Sequence, residues 1–302
     1  MVQDDATPLL DCVIVGAGPA GLTAATYLAR FRRAIALLDG GSSRARLIPT
    51  SHNCPGFPFG VGGDALLDKL RDQAAQYGVA PEAAEVDALE RDDGGTFVLR
   101  VGAARWRARL VILACGVVDV LPDVPGVEEA VAAGTVRLCA ICDGYEARDE
   151  RIGVYGPADA AIGHALFLRT FSRDVAVLPS APEAPTRRRR EQARRAGIAL
   201  LPPAPLRLQA GRCIAGEGEA ARTFDTLYPV LGSRARTRLA LGLGARCDDN
   251  AELVVDHDQQ TSVDGLYAIG DMVSALNQIS VAVGQAAIAA TAVHNRLPRN
   301  PR

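Results

Sequence analysis

Lysine is almost missing from this chain. Lys69 is the only one among 33 basic residues, and arginine supplies the rest. The imbalance reads as coding bias rather than function, because 35 acidic residues bring the formal net charge to −2. A surface so close to neutral exerts no general pull on nucleic acid or anionic lipid. No run of ~18 apolar residues occurs, which excludes a membrane-spanning helix. The opening Met1-Val2-Gln3-Asp4-Asp5 is acidic and lacks the basic start of a secretory leader. There is no G-x-S-x-G, H-E-x-x-H or Walker loop, so the chemistries those motifs carry lack their residues. Only four histidines are present (His52, His164, His257 and His294), and each stands alone.

What is present fits a globular protein. The chain has 302 residues, 48% hydrophobic, enough for one large domain or two ordinary ones and too apolar for a disordered chain. The seven cysteines are an odd number in a long chain, unlike a secreted disulfide framework. The compartment is therefore read as cytoplasmic, with thiols mostly reduced.

The clearest local signal lies near the start. Asp11-Cys12-Val13-Ile14-Val15 is a short apolar run expected to be a buried strand. Gly16-Ala17-Gly18-Pro19-Ala20-Gly21 follows, then helical spacing from Leu22 to Arg33, then the strand Ile35–Leu38 ending at Asp39. Gly16 permits the tight turn, Gly18 lets a pyrophosphate approach the backbone, and Gly21 lets helix and strand pack closely. The helix N-terminus, which opens at Pro19 and Ala20, presents the free N–H groups that follow the proline to the phosphates, and Asp39 can accept from ribose hydroxyls. Strand, glycines, helix and acid in this order predict dinucleotide binding.

Further along, residues 42–60 read as a loop and 63–78 as a helix. Phe97–Val101 with Arg105–Arg109 suggest a hairpin, and Leu110–Ala114 a buried strand. A second strand–turn–helix–strand unit begins at Arg151: Ile152–Tyr155, the turn Gly156-Pro157-Ala158, a helix from about Ala160 to Thr170, and Val175–Leu178. Gly265–Asp271 is strand then turn, and residues 277–297 are a helix rich in small residues.

Cys139-Ala140-Ile141-Cys142-Asp143 is the chemical centre. Two intervening residues bring both sulfurs within one turn. A disulfide closing so short a loop stabilises by only roughly 2 kcal/mol in the chain-entropy picture, so it is a poor staple and a good reversible couple. A metal site would need a second pair, which the sequence lacks, and inert core thiols remain the bland alternative.

These elements together resemble the low-molecular-weight thioredoxin reductases, within the class II pyridine nucleotide-disulfide oxidoreductases. The anchors, in order, are Gly16–Gly21, His52-Asn53-Cys54-Pro55-Gly56, Ala114-Cys115-Gly116, Cys139–Gly144, and Gly270-Asp271 with Gln278. The resemblance implies an α/β fold of two Rossmann-like domains of three-layer ββα type, the second inserted into the first. An FAD domain would comprise 1–120 and 246–302, and an NAD(P)-like domain 121–245 would carry the cysteines. It further implies a homodimer. Asp271 would sit near the ribityl–phosphate arm, with Asn53 and Gly116 near the flavin. The helix start at Gln278 and Ile279 would face the pyrimidine, where its dipole favours the reduced, anionic ring. Cys142 would lie against the isoalloxazine, Cys139 would face the substrate, and Asp143 would move protons.

The second nucleotide unit departs from the family pattern. Ala158 stands where its second glycine should be, and Pro179-Ser180-Ala181-Pro182 replaces its basic stretch. Neither an acid for NAD nor an arginine pair for the NADP phosphate follows Leu178. The sequence therefore reads as an FAD-dependent thiol–disulfide oxidoreductase working without NADPH, as in the dithiol oxidase or ferredoxin-linked branches. Its partners would be a small dithiol or a thioredoxin-like protein, and oxygen or a protein on the electron side. A conventional NAD(P)H-dependent reductase and a non-catalytic flavin-binding scaffold are the competing readings. The arginines from Arg187 to Arg195 read as a solvated helix face, with an acidic electron-transfer protein as the functional alternative.

Overall fold

Apolar runs long enough for strands buried on both faces lay out the molecule. The computed structural model describes residues 8–273 and 276–301, so the acidic start Met1–Asp5 lies outside the described residues. In chain order the first leg runs β1 (Leu9–Val15), α1 (Pro19–Arg30), β2 (Ile35–Asp39), α2 (Gly63–Ala75), β3 (Glu82–Ala83), β4 (Ala88–Arg91), β5 (Phe97–Val101), β6 (Ala104–Leu113) and β7 (Val117–Asp119). The middle leg runs α3 (Val127–Ala132), α4 (Ala140–Asp143), β8 (Ile152–Gly156), α5 (Ala158–Leu168), β9 (Val175–Pro179), α6 (Arg187–Arg195), β10 (Ala199–Leu200), β11 (Leu206–Gln209), β12 (Arg212–Ala215), β13 (Arg222–Phe224), β14 (Thr226–Pro229) and β15 (Ser233–Ala235). The last leg holds α7 (Arg238–Leu241), β16 (Leu266–Ala268) and α8 (Ile279–Arg296).

The chain forms two compact units. The first takes the described residues up to Arg46, Gly62–Val118 and those from Arg234 on; the second takes Leu47–Val61 and Asp119–Ser233. The expected return to the first domain at 246 thus comes earlier. The reason is α7, whose Leu239 and Ala240 are buried in the first unit's core beside Leu253 and Met272. The loop at 47–61, placed by sequence in the first domain, packs with the second unit.

In the first unit the sheet order is β3-β2-β1-β6-β5-β4, with β16 also on β6. Strand β1 is parallel to both β2 and β6, pairing Val13 with Ala36 and with Val111. The hairpin strand and the buried strand expected as separate pieces form one ten-residue strand, β6. Its first half pairs antiparallel with β5 and its last three residues pair parallel with β16. One strand therefore serves two neighbours along a single edge. Val13, Leu38, Phe97, Leu99, Val111 and Leu266 fill one side of the sheet. Helices α1 and α8 pack together, burying Leu22, Ala25 and Leu28 of α1 and Ala282, Ala286 and Ala290 of α8. The small side chains of α8 permit that close approach.

In the second unit β10-β9-β8-β14 form a parallel sheet, and β11-β12-β13 an antiparallel one. Helix α5 begins at Ala158, two residues earlier than the sequence suggested, and crosses from β8 to β9. Both units are therefore α/β, and the second is inserted into the first. Among the described residues no helix is long and apolar enough to cross a membrane.

Candidate active site

The glycine turn after β1 has the shape a dinucleotide requires. Gly16 has φ +105°, a conformation that L side chains rarely adopt, and a Cβ there would lie 2.4 Å from the Ala114 carbonyl oxygen. A Cβ on Gly21 would lie 1.8 Å from the Gly16 oxygen, so helix and turn touch backbone to backbone. At Gly18, the N-cap of α1, a Cβ would meet Ser43 Oγ at 3.2 Å. Pro19 and Ala20 open the helix, where the proline needs no N–H. Asp39 at the end of β2 accepts from Ala17 N–H at 3.3 Å and so is tied to the same turn. Without these methyls the turn, the β6 end and the start of α1 pack backbone to backbone, which brings the helix N-terminus to the position of a pyrophosphate, and the residues present fit FAD.

The last leg returns to this cradle. Gly270, at φ +77°, approaches the start of α1, where its added Cβ would meet Ala20 Cβ at 3.2 Å. Its N–H donates to Gln285 Oε1 of α8 at 2.7 Å. Asp271 pairs with Arg44 at 3.7 Å. Gln278 caps α8, and Ile279 opens it with no acidic residue in the first turn, leaving the positive end of the dipole uncompensated by the helix itself. Gly116 follows the β6 end at φ +65° and accepts from Arg236 N–H at 3.0 Å. Gly16, Gly18, Pro19, Ala20, Gly21, Asp39, Gly116, Gly270, Asp271, Gln278 and Ile279 thus all belong to the first unit. Asn53 does not: it is exposed on the 47–61 loop of the second unit, where Ser51 Oγ donates to its Oδ1 at 3.0 Å.

The second unit holds the sulfur chemistry. Cys139 and Cys142 form a disulfide with Cα atoms 5.3 Å apart. Cys139 caps α4, its Sγ accepting from Cys142 N–H at 3.2 Å. Ile141 between them is 57% exposed, so the turn that carries the pair faces outward in its own unit. Gly144 is required just beyond, because a Cβ there would strike the Ala140 oxygen at 2.6 Å and the Phe171 ring. Asp143, next to Cys142, accepts from Tyr228 O–H at 2.8 Å. Burial pushes its carboxyl up to about 6; Glu146 adds to the rise, while the Tyr228 hydroxyl and the Arg137 charge oppose it. Such a group exchanges protons near neutral pH. The other thiols fit packing roles: burial raises Cys12, Cys54, Cys115, Cys213 and Cys247. Among the described residues no group of three His, Cys, Asp or Glu side chains converges as a metal site.

The mouth of the second nucleotide unit is apolar. Ala158, the first residue of α5, is 6% exposed, and its methyl occupies the turn. Beside it lies a cavity of about 260 Å³ walled by Pro179, Pro182, Pro185, Leu201 and Pro203, with Glu183 its single charged lining residue. Of the arginines on α6, Arg194 and Arg195 both grip Glu191.

Sequence reasoning passed over Arg44, Ser43, Gln285, Arg137 and Tyr228. Gln285 had a signal, as the one long polar side chain in the middle of an alanine-rich helix. The others had none, because a single arginine, serine or tyrosine becomes informative only once its neighbour is known.

The chain matches the family described as Pyridine nucleotide-disulphide oxidoreductase over residues 10–286. It is 32% identical to a thioredoxin reductase of Mycolicibacterium smegmatis over 87% of this chain and 88% of that protein. It is 27% identical to a thioredoxin reductase of Peptoclostridium acidaminophilum, over 96% of this chain and 98% of the other. The fold superposes on the crystal structure of HlmI with a TM-score of 0.87 at 29% identity, over 95% of this chain and 92% of that one. It superposes equally well, TM-score 0.87 at 26% identity, on thioredoxin reductase from Streptococcus pyogenes MGAS5005, over 96% and 98%. With a glycine cradle shaped for a dinucleotide and a disulfide flanked by a proton-exchanging carboxyl, the chain belongs to the pyridine nucleotide-disulphide oxidoreductase family and is an FAD-dependent disulfide oxidoreductase of thioredoxin reductase type.

Proposed function

We propose that this enzyme runs as a dithiol oxidase, without NADPH, as a cytoplasmic homodimer. The observation that carries the reading is the mouth of the second nucleotide unit. A methyl at Ala158 stands where a pyrophosphate must approach, and the adjoining cavity offers prolines and a carboxylate where a 2′-phosphate needs cations. At about 260 Å³ the cavity also falls below the ~300–1,000 Å³ usual for small-molecule sites.

The chain's own residues perform the exchange. A substrate thiolate attacks Cys139 Sγ; the Cys139–Cys142 bond breaks, and its electron pair leaves on Cys142. The second substrate thiolate attacks the substrate sulfur of the mixed disulfide and frees Cys139 as thiolate. The substrate departs as a disulfide, and the pair holds its two electrons. Asp143 holds and returns a proton beside the pair. FAD, in the cradle of Gly16, Gly18 and Gly21, supplies the two-electron sink and the outlet to oxygen or a protein acceptor.

A second reading rests on the relatives named thioredoxin reductase: NADPH as donor and a thioredoxin-like protein as substrate. One experiment separates the two. Oxygen-free holoenzyme is mixed with NADPH, and separately with dithiothreitol, while the flavin absorbance is followed. Bleaching by the dithiol alone is expected; comparably fast bleaching by NADPH overturns the oxidase reading.

A further inference from the structure

Strand β14 lies near the end of the inserted segment, far along the chain from the cysteine pair, yet it reaches the pair's supports. Thr226 and Tyr228 are two apart on this strand and so share one face. Thr226 Oγ1 donates to Glu150 Oε2, and Tyr228 O–H donates to Asp143 Oδ1 at 2.8 Å. Arg137 reaches both residues. Its Nη1 donates to the Asp143 main-chain oxygen at 3.0 Å, and its Nη2 lies 3.8 Å from Glu150. The Tyr228 ring is 2% exposed and packs in the core with Val154, Ile162 and Val177. A phenylalanine would fill that space equally well. The hydroxyl is thus the one feature of this side chain that packing does not explain, and it donates to the carboxyl that follows Cys142.

We propose that Tyr228 is a positioning residue for thiol–disulfide exchange: its phenol, anchored in β14, holds the Asp143 carboxyl in one orientation beside the cysteine pair and sets the pH at which that carboxyl takes a proton from the substrate thiol. The proposal rests on the dithiol reading above. A substrate S–H gives its proton to the Asp143 carboxylate, and the thiolate so formed attacks Cys139 Sγ as the electron pair of the Cys139–Cys142 bond moves to Cys142. When the second substrate thiolate, its proton released to solvent, displaces Cys139, the proton on Asp143 passes to the Cys139 sulfur. The carboxyl is then ready for another turnover. The groups facing Asp143 are Tyr228 from β14, Arg137 from the segment before α4 and Glu146 from the turn after it. Tyr228 and Arg137 stabilise the charged form, and Glu146 opposes it. Because burial and the nearby carboxylate raise the phenol, against the opposing charge and hydrogen bond of Arg137, it stays protonated and acts as a donor toward Asp143.

The test is the pH profile of dithiothreitol oxidation by the holoenzyme, read as oxygen consumption. The wild type should show an acid limb with its midpoint near 6, where Asp143 titrates. Tyr228→Phe removes a donor to a charged acceptor, so the limb should move up by about one pH unit. Replacing Tyr228 with 3-fluorotyrosine keeps the shape and strengthens the donor, so the limb should move down. Asp143→Asn should abolish the limb. A Tyr228→Phe protein that retains its flavin and keeps the wild-type midpoint overturns the positioning role. If that variant does not fold, the fluorinated protein decides alone: a downward shift supports the role and an unmoved limb overturns it. Absence of dithiol oxidation by wild type at every pH is a different result, which takes down the dithiol reading and this inference together.

Discussion

Gly21→Ala and Gly284→Ala add the same methyl to two helices and should act in opposite directions. At Gly21 the new Cβ would lie 1.8 Å from the Gly16 carbonyl oxygen and 2.9 Å from its carbon. Both are backbone atoms of a turn that Leu38 already pins by accepting from Gly16 N–H at 2.7 Å, so neither can swing aside as a side chain would. Relief requires α1 to move off β1 by more than an ångström. That displacement pulls the first helical N–H groups away from the phosphate position. Overpacking costs about 1–3 kcal/mol when side chains can adapt, and this contact belongs at or above the top of that range. About 3 kcal/mol corresponds to a loss of more than 100-fold in an equilibrium constant. Gly284, in the exposed middle of α8, has nothing within 4 Å of its added Cβ, so alanine there should stabilise by about 0.5–1 kcal/mol. The assay is the ratio of flavin to protein absorbance after purification, together with thermal unfolding of each variant. Gly21→Ala should emerge largely colourless with a lowered midpoint, and Gly284→Ala yellow with an equal or raised one. Full flavin content and an unchanged midpoint in Gly21→Ala would refute the cradle argument, including the assignment of the pyrophosphate to this turn.

Three further outcomes follow from other sites. Cys139→Ser should abolish dithiol oxidation while keeping the flavin colour; a variant with full activity would overturn the exchange mechanism assigned to the Cys139–Cys142 pair. Hydrogen bonds from Arg151 hold the Asp225 carboxyl down to about 2, so folding is favoured by its ionisation above the ordinary aspartate pKa of ~3.9 and loses that contribution as pH falls toward 2. Acid titration of Asp225→Asn, followed by circular dichroism, should show a shallower loss of structure over that window. Asp143 has the opposite sign: its folded value of about 6 lies above the unfolded one, so its ionisation destabilises above that pH and the effect disappears as pH falls below ~4. Asp143→Asn should therefore gain stability relative to wild type at pH 7 more than at pH 4 in urea unfolding.

The first nucleotide unit was legible because every step of it is local. Gly16, Gly18 and Gly21 mark close backbone approaches within a few residues, and the apolar runs of β1 and β2 are strands on their own composition. The cysteine pair was legible for the same reason, as its spacing alone brings the sulfurs within reach. Helix starts were less clear: α5 begins at Ala158 instead of Ala160, because Pro157 at its N-cap already presets the backbone. The early return to the first unit at Arg234 was hidden, since Leu239 and Ala240 declare their allegiance only through the core they enter.

Sequence by itself determined the chemistry available: a phosphate-binding turn, one close pair of sulfurs with an acid beside it, and a second nucleotide turn bearing a methyl. These depend on steric demands that act across a handful of consecutive residues. Tertiary structure decided how that chemistry is tuned and divided. It set Tyr228 against Asp143, gave the 47–61 loop with Asn53 to the second unit, split β6 between β5 and β16, and lined the second nucleotide mouth with prolines. Each of these joins residues distant along the chain, and a carboxyl's proton affinity is set by whatever surrounds it in space rather than by its neighbours in sequence.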